Sequence, residues 1–245
     1  MCAYFSMVMP FVVCGACYLP NRRHRVVCRA CLIPLLLGIV VSFSRGGYLA
    51  TLFFVIFMVF AGGFSGRTLF LGGVAVFALV PQDMLARLST IGNMGDHAIA
   101  SRLTAWQIAV EALPSRFFFG SGAGIMTSWS LLAANGSPDH HTHNLILQLM
   151  LEGGIVALGL MVLMGIRMLQ TGARMLLHQK TDRRLGLALV GFFITFAVHG
   201  MFDWLLMLPK SVAVFALALG VCDTLTAVYM HRGDAIMFRK KEVSA

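Results

Sequence analysis

Charge is what this chain has least of. Only 12% of its 245 residues are Asp, Glu, Lys or Arg, and ten of them are acidic. Soluble domains carry about 25% charged residues, so a water-facing globular surface is excluded. No Asp-x-Asp pair occurs, so the chain lacks the usual carboxylate pair for a metal-bound sugar diphosphate, and no metal site is assigned. The six cysteines, Cys2, Cys14, Cys17, Cys28, Cys31 and Cys222, form no disulfide framework or zinc pattern. Cys14/Cys17 and Cys28/Cys31 share a C-x-x-C spacing, but in or beside apolar runs, and read as packing residues. No cleavable signal peptide is visible, because the first arginines follow the first apolar run and do not precede it. Internal repeats and low-complexity tracts are absent too.

What is abundant is apolar. Hydrophobic residues make up 58% of the chain, with a mean hydropathy of +0.83. The fold class expected is all-α, a polytopic transmembrane helical bundle in the lipid bilayer. Seven apolar runs are visible: Ala3–Leu19, Ala30–Phe43, Tyr48–Phe64, Thr68–Val80, Leu145–Ile166, Leu185–Phe202 and Ser211–Val228. They predict about seven spans in one membrane domain. Residues 1–80 hold spans one to four, 81–142 a long, partly helical loop, 143–228 spans five to seven, and 229–245 a basic tail.

The net charge of +9 raises nucleic acid as a partner only until the charges are placed. They fall in short loops between the runs, which is a topology signal, and no nucleic-acid partner is expected. With the Arg22–Arg29 loop in the cytoplasm, fourteen Lys/Arg fall on that side and five on the other. This orientation puts Arg45, the long loop, the histidines and Asp203 together outside the cytoplasm.

The most unusual stretch is His140-His141-Thr142-His143-Asn144, at the mouth of the fifth run. Asn144, Gln148 and Glu152 then recur every fourth residue, which on a helix forms one polar stripe. Such a face inside a membrane needs protein or water partners, so it is expected to look into a cavity. Glu152, about 13 Å along the helix from His143 at 1.5 Å per residue, must be paired, hydrated or protonated there. Within the loop, Leu103, Trp106, Val110 and Leu113 have helical spacing, with Thr104, Gln107 and Glu111 on another face. Ser101 is the expected N-cap and Pro114 the expected stop. This helix is expected to lie along the membrane surface or to cap a cavity.

Arg45 stands alone against the charge bias, between Ser44 and two glycines. It reads either as a snorkelling interfacial arginine or as an anion site, since guanidinium grips phosphate in a bidentate way. Arg102 opens the loop helix, where free N–H groups also favour an anion; the alternative is a solvated arginine stacked on Trp106. A histidine at a helix N-terminus tends to stay neutral and available as a base. Asp139 with His140, His141 and His143 is the alternative metal-ligand set. Gly120-Ser121-Gly122-Ala123-Gly124, with no strand before it and no clear helix after, is a loop and not a dinucleotide fingerprint.

These pieces together resemble the O-antigen ligase and polymerase superfamily of bacterial envelope glycan assembly. The resemblance rests on Phe43-Ser44-Arg45-Gly46-Gly47, Arg102-Leu103-Thr104-Ala105-Trp106, Pro114, Gly120–Gly124, His143-Asn144-Leu145, Gln148, Glu152, Gly153 and Asp203, over roughly residues 40–205. It implies a lipopolysaccharide-biosynthesis glycosyltransferase of the bacterial inner membrane, with its active side in the periplasm and no cofactor. The donor implied is an undecaprenyl-pyrophosphate-linked glycan. The acceptor implied is lipid A-core, another glycan or a protein hydroxyl. On this resemblance Arg45 and Arg102 hold the pyrophosphate. His143 serves the acceptor hydroxyl as base or positioning group, Asp203 is the supporting acid, and His141, Asn144, Gln148 and Glu152 assist. Relatives of this kind have about a dozen spans, so a fragment or shortened member is expected here. The alternatives are a repeat-unit polymerase, a transporter or flippase using the polar stripe, and an inactive remnant.

Overall fold

A computed structural model describes residues 2–61, 97–122, 124–177 and 182–243. Among these, the elements are α1 (Cys2–Tyr18), α2 (Arg22–Val41), α3 (Arg45–Phe60), α4 (His97–Arg116), α5 (Ile125–Ala134), α6 (Leu145–Leu177), α7 (Arg183–Gly200), a 3-10 turn (Leu205–Met207) and α8 (Pro209–Val243). The described chain is all-helical. α2, α6, α7 and Pro209–Val228 of α8 are long and apolar enough to cross a membrane, while α1 and α3 are apolar but shorter. Six of the seven predicted runs are therefore helices, and the fourth, 68–80, lies outside the described residues.

Several boundaries differ from the sequence reading. The Arg22–Arg25 cluster is not loop but the first turn of α2, because the Asn21 side chain caps it, accepting from Arg23 N at 2.8 Å. α4 starts at His97, so Ser101 is not its cap, and Pro114 lies inside it. Proline removes one bond, to the Val110 carbonyl, without ending the helix. The basic tail continues α8 to Val243.

α7 is the centre of the bundle and packs against α1, α3 and α6. Phe192, Phe196 and Phe215 stack with Met168, Leu145 and Leu149 on one side of it. Met9, Phe54, Met58 and Leu187 pack on the other. Where lipid surrounds a bundle, close backbone approach stabilises helix pairs. A Cβ at Gly191 would stand 2.5 Å from the Phe54 ring, and one at Gly186 2.9 Å from the Gly172 carbonyl.

One end of the bundle gathers the start of α1, the start of α3, the end of α7 and the start of α8. There Gly47 meets Cys2, Gly46 meets Phe202, and Gly200 meets Leu145. Lys210 Nζ stands 5.8 Å over the Tyr4 ring. The opposite end holds Arg29, whose Nε donates to Ala16 O at 3.2 Å, and Arg183, which donates to Ala61 O. Arg45 and the histidines are thus separated from Arg29 and Arg183 by the length of the bundle.

α6 is two helical arms joined at Gly154, whose φ of 64° and ψ of −162° are essentially glycine-only. The lower arm, 155–177, rises about 34 Å and crosses a bilayer core of about 30 Å unaided. A break exposes backbone groups that must find partners. The turn after α4 supplies them. Ser121 N and Gly122 N donate to Leu151 O and Glu152 O at 2.8 and 3.0 Å. Ile155 N and Val156 N donate to Phe117 O and Phe118 O at 2.7 and 3.5 Å. Gly120, at φ 67°, is needed for this approach: a Cβ there would lie 2.4 Å from the Glu152 carbonyl carbon. The glycine run is thus an ordered clasp on α6, and contrary to the sequence reading a helix, α5, does follow it.

Candidate active site

The segment 137–144 joins α5 to α6 without helix, so its backbone depends on side chains for partners. Gln148 partners Thr142 N and ties the segment to α5. Its Oε1 accepts from Thr142 N at 3.0 Å and Thr142 Oγ1 at 3.1 Å. Its Nε2 donates to Ser128 Oγ at 2.8 Å and Glu152 Oε1 at 2.7 Å. Trp106 Nε1 on α4 donates to Thr142 O at 2.7 Å, and Ser128 Oγ on α5 to His140 O at 3.5 Å. Asn144 caps α6, accepting from Ile146 N and Leu147 N at 2.9 and 3.1 Å, and ties it to α7 by donating to Met201 O at 3.3 Å. The Asn144–Gln148–Glu152 stripe exists, but it does not line an open cavity. Gln148 is fully buried, and the stripe's polar atoms meet protein. Glu152 is paired with Gln148 and, at 3.4 Å, with Gly124 N.

This bracing presents two imidazoles and two carboxylates. His143 has a φ of 50°, a left-handed conformation that costs a non-glycine residue about 1–3 kcal/mol and needs support from its surroundings. Its Nδ1 lies 3.4 Å from Asp203 Oδ1, and its Nε2 3.8 Å from Asp139 Oδ1. His141 stacks against it, ring centroids 4.0 Å apart, and its Nδ1 accepts from His143 N at 3.1 Å. The His141 proton must then sit on Nε2. Burial, and next the neighbouring His143, pull His141 down to about 4, so it is neutral at pH 7. Partial burial alone would raise Asp203. The His143 hydrogen bond, and next the nearby imidazoles of His141, His143 and His199, outweigh it and hold Asp203 at about 2. Asp203 is therefore ionised at neutral pH, and its Oδ1 faces His143 Nδ1, which leaves Nε2 as the ring nitrogen turned away from it.

Both arginines stand on elements that abut this loop. Arg45 begins α3, where Ser44 Oγ accepts from Gly47 N at 3.3 Å. The adjacent Gly46 packs on Phe202, next in sequence to Asp203: a Cβ at Gly46 would lie 2.8 Å from Phe202 Cβ. Arg102 lies one turn before Trp106 on the same face of α4, and Trp106 bonds the residue before His143. Phe43 and His143, the two non-glycine residues of positive φ among those described, both flank this mouth.

Sequence reasoning missed Ser128, Thr142 and His199. Ser128 carries no motif, and Thr142 was overshadowed by the histidines around it. His199 looked like one more residue of an apolar run. It is fully buried, with Nδ1 2.8 Å from Ser6 Oγ. Ser6 gives its own proton to Ala3 O at 3.0 Å, so His199 carries its proton on Nδ1. His140 turns away and meets Trp129 edge-on at 5.2 Å. The set whose ligand atoms lie within 4.8 Å of one another is therefore His141, His143 and Asp203, not the set with Asp139 and His140. These three could hold a divalent ion.

A family model described as O-antigen ligase matches residues 30–162, more than half of the chain. Arg45, Arg102, His141, His143, Asn144, Gln148 and Glu152 lie inside that match, and Asp203 lies beyond it. Comparison with curated proteins gives no match. The chain is a helical membrane protein and belongs to the O-antigen ligase family.

Proposed function

We propose that this protein moves a glycan from an undecaprenyl-pyrophosphate carrier to an acceptor hydroxyl, with lipid A-core as the acceptor, at the periplasmic face of the inner membrane. The observation that carries this reading is His143, held between Asp203 and Asp139 at the bundle end where Arg45 and Arg102 also stand. In the reaction the acceptor oxygen bonds to the anomeric carbon as the bond from that carbon to the pyrophosphate oxygen breaks. The hydroxyl proton passes to His143 Nε2, and the pyrophosphate leaves with the bonding pair. Asp203 orients the imidazole and stabilises it once protonated, as a carboxylate does behind any general-base histidine. Arg45 and Arg102 offset the charge that develops on the leaving pyrophosphate. His141, Asn144, Gln148 and Glu152 hold the loop in register.

The test is purified protein in proteoliposomes with a lipid-pyrophosphate glycan, offered lipid A-core or a second lipid-linked repeat unit. Transfer to lipid A-core, lost in Arg102→Ala, supports the ligase. Lengthening of the lipid-linked chain instead makes it a polymerase. No consumption of donor with either acceptor refutes the transferase reading.

A further inference from the structure

α4 leaves an apolar stripe uncovered. Among the described residues, Leu103 and Val110 are 46% and 54% exposed and lie on one face of α4 seven residues apart, and Phe117, 44% exposed, follows in the turn that ends the helix. The stripe runs on into Phe118 and Phe119, 66% and 78% exposed. The opposite face buries Ala105, Ile108 and Ala109, with Leu132 of α5 in the same cluster. Thr104, Gln107 and Glu111 form an exposed polar edge between the two faces, Gln107 donating to Glu111 at 3.0 Å. Three consecutive exposed phenylalanines continuing such a stripe mark an interaction surface.

What covers this surface follows from where the turn is tied. Phe117 O and Phe118 O bind the backbone of Ile155 and Val156, the first residues of the α6 arm that crosses the membrane. Ile155 and Val156 are themselves 38% and 45% exposed, and Leu160 and Leu163 below them 52% and 59%. The phenylalanine turn is thus level with the end of a span and continuous with its lipid-facing side. A helix with an apolar stripe and a polar edge at that level is built for the interface plane.

We propose that the Phe117–Phe119 turn and the α4 stripe are seated in the acyl chains of the leaflet on the histidine side. The turn is a membrane anchor that sets the height of the histidine loop above the lipid. The turn clasps α6 at its break, α4 holds Thr142 through Trp106, and α5 holds His140 through Ser128. A site anchored this way stays at the level where the pyrophosphate of a membrane-held carrier lies. The inference rests on the membrane spans and not on the transfer reaction.

The experiment is tryptophan quenching in proteoliposomes. Phe119→Trp replaces an exposed aromatic with another, and the emission of the three native tryptophans is removed by subtracting the parent protein. In vesicles of acyl-brominated phosphatidylcholine the added emission should be lost, and in ordinary vesicles it should be blue-shifted and resist iodide. Phe118→Trp repeats the measurement if the first variant fails to insert. Emission that is quenched by iodide and unchanged by brominated chains would overturn the anchor. Neither result depends on a glycan donor, so failure here is distinct from failure of the transferase reading.

Discussion

At the histidine end of the bundle, neighbouring segments are joined by side-chain hydrogen bonds: Gln148 to Thr142, Ser128 and Glu152, Trp106 to Thr142, Asn144 to Met201. At the opposite end Arg29 and Arg183 also donate to the Ala16 and Ala61 carbonyls, and the rest of the joining described there is close packing of small residues. A Cβ at Gly172 would stand 2.6 Å from Val190, and one at Gly15 2.8 Å from Cys28 Sγ. Thr171 and Thr226, 3.0 Å apart, are the side-chain pair there. Close packing holds helices together but does not fix an irregular loop. Directional bonds do, and they are concentrated where a loop must present His143 in a strained conformation. The comparison teaches that substitutions at the two ends should separate catalysis from stability.

The largest effect should come from the histidine end. Asp203→Asn should lower the transfer rate per folded molecule by about 10²–10³-fold, well beyond the fall in melting temperature that loss of the ionised carboxylate brings, because the amide no longer orients or stabilises the imidazolium. A proportionate fall in rate and melting temperature would instead make Asp203 a structural residue. Gln148→Leu should come next and affect both readouts. It strands Thr142 N and Ser128, and each buried group left unpaired costs about 1–3 kcal/mol, so melting temperature and transfer should fall together.

At the opposite end, Gly172→Ala should lower stability by about 1–3 kcal/mol through overpacking against Val190. Transfer per folded molecule should not change, and a rate loss beyond the folded fraction would blur the distinction between the ends. The smallest effect concerns pH. Folded His141 stays neutral to about 4 while the unfolded chain protonates near 6.5. Unfolding therefore takes up a proton between these values, and stability should fall as pH drops from 6.5 to 4 and stay flat above. Asp203 works in the same direction at lower pH: its contribution is present above its ordinary value near 3.8 and lost as pH falls through about 2. His141→Gln should reduce the loss between pH 6.5 and 4, measured by melting temperature.

Much of this was legible because it rests on period and polarity. Long apolar runs specify helices, and a polar residue every fourth position specifies one face, so α6, α7, α8 and the Gln148 stripe could be found without coordinates. The stripe's partners could not, because Ser128 and Trp106 reach Gln148 and Thr142 only through the tertiary fold. The break at Gly154 was hidden for a related reason. Gly153-Gly154 inside an apolar run is compatible with a continuous helix, and only the clasp by Phe117–Gly122 makes the interruption stable. Asp203 was found from the resemblance and from its place after a span. His199, whose ring packs against Gly46 and Gly47 beside Arg45, looked like an apolar-run residue because nothing local distinguishes it.

The central claim is that His143 Nε2 takes the acceptor proton. Its most direct test is the single-turnover rate of donor consumption by His143→Ala in proteoliposomes matched for inserted protein. A fall of about 10³-fold, with the variant still binding the lipid-pyrophosphate donor like the parent, is the predicted result. A rate equal to the parent's would contradict it.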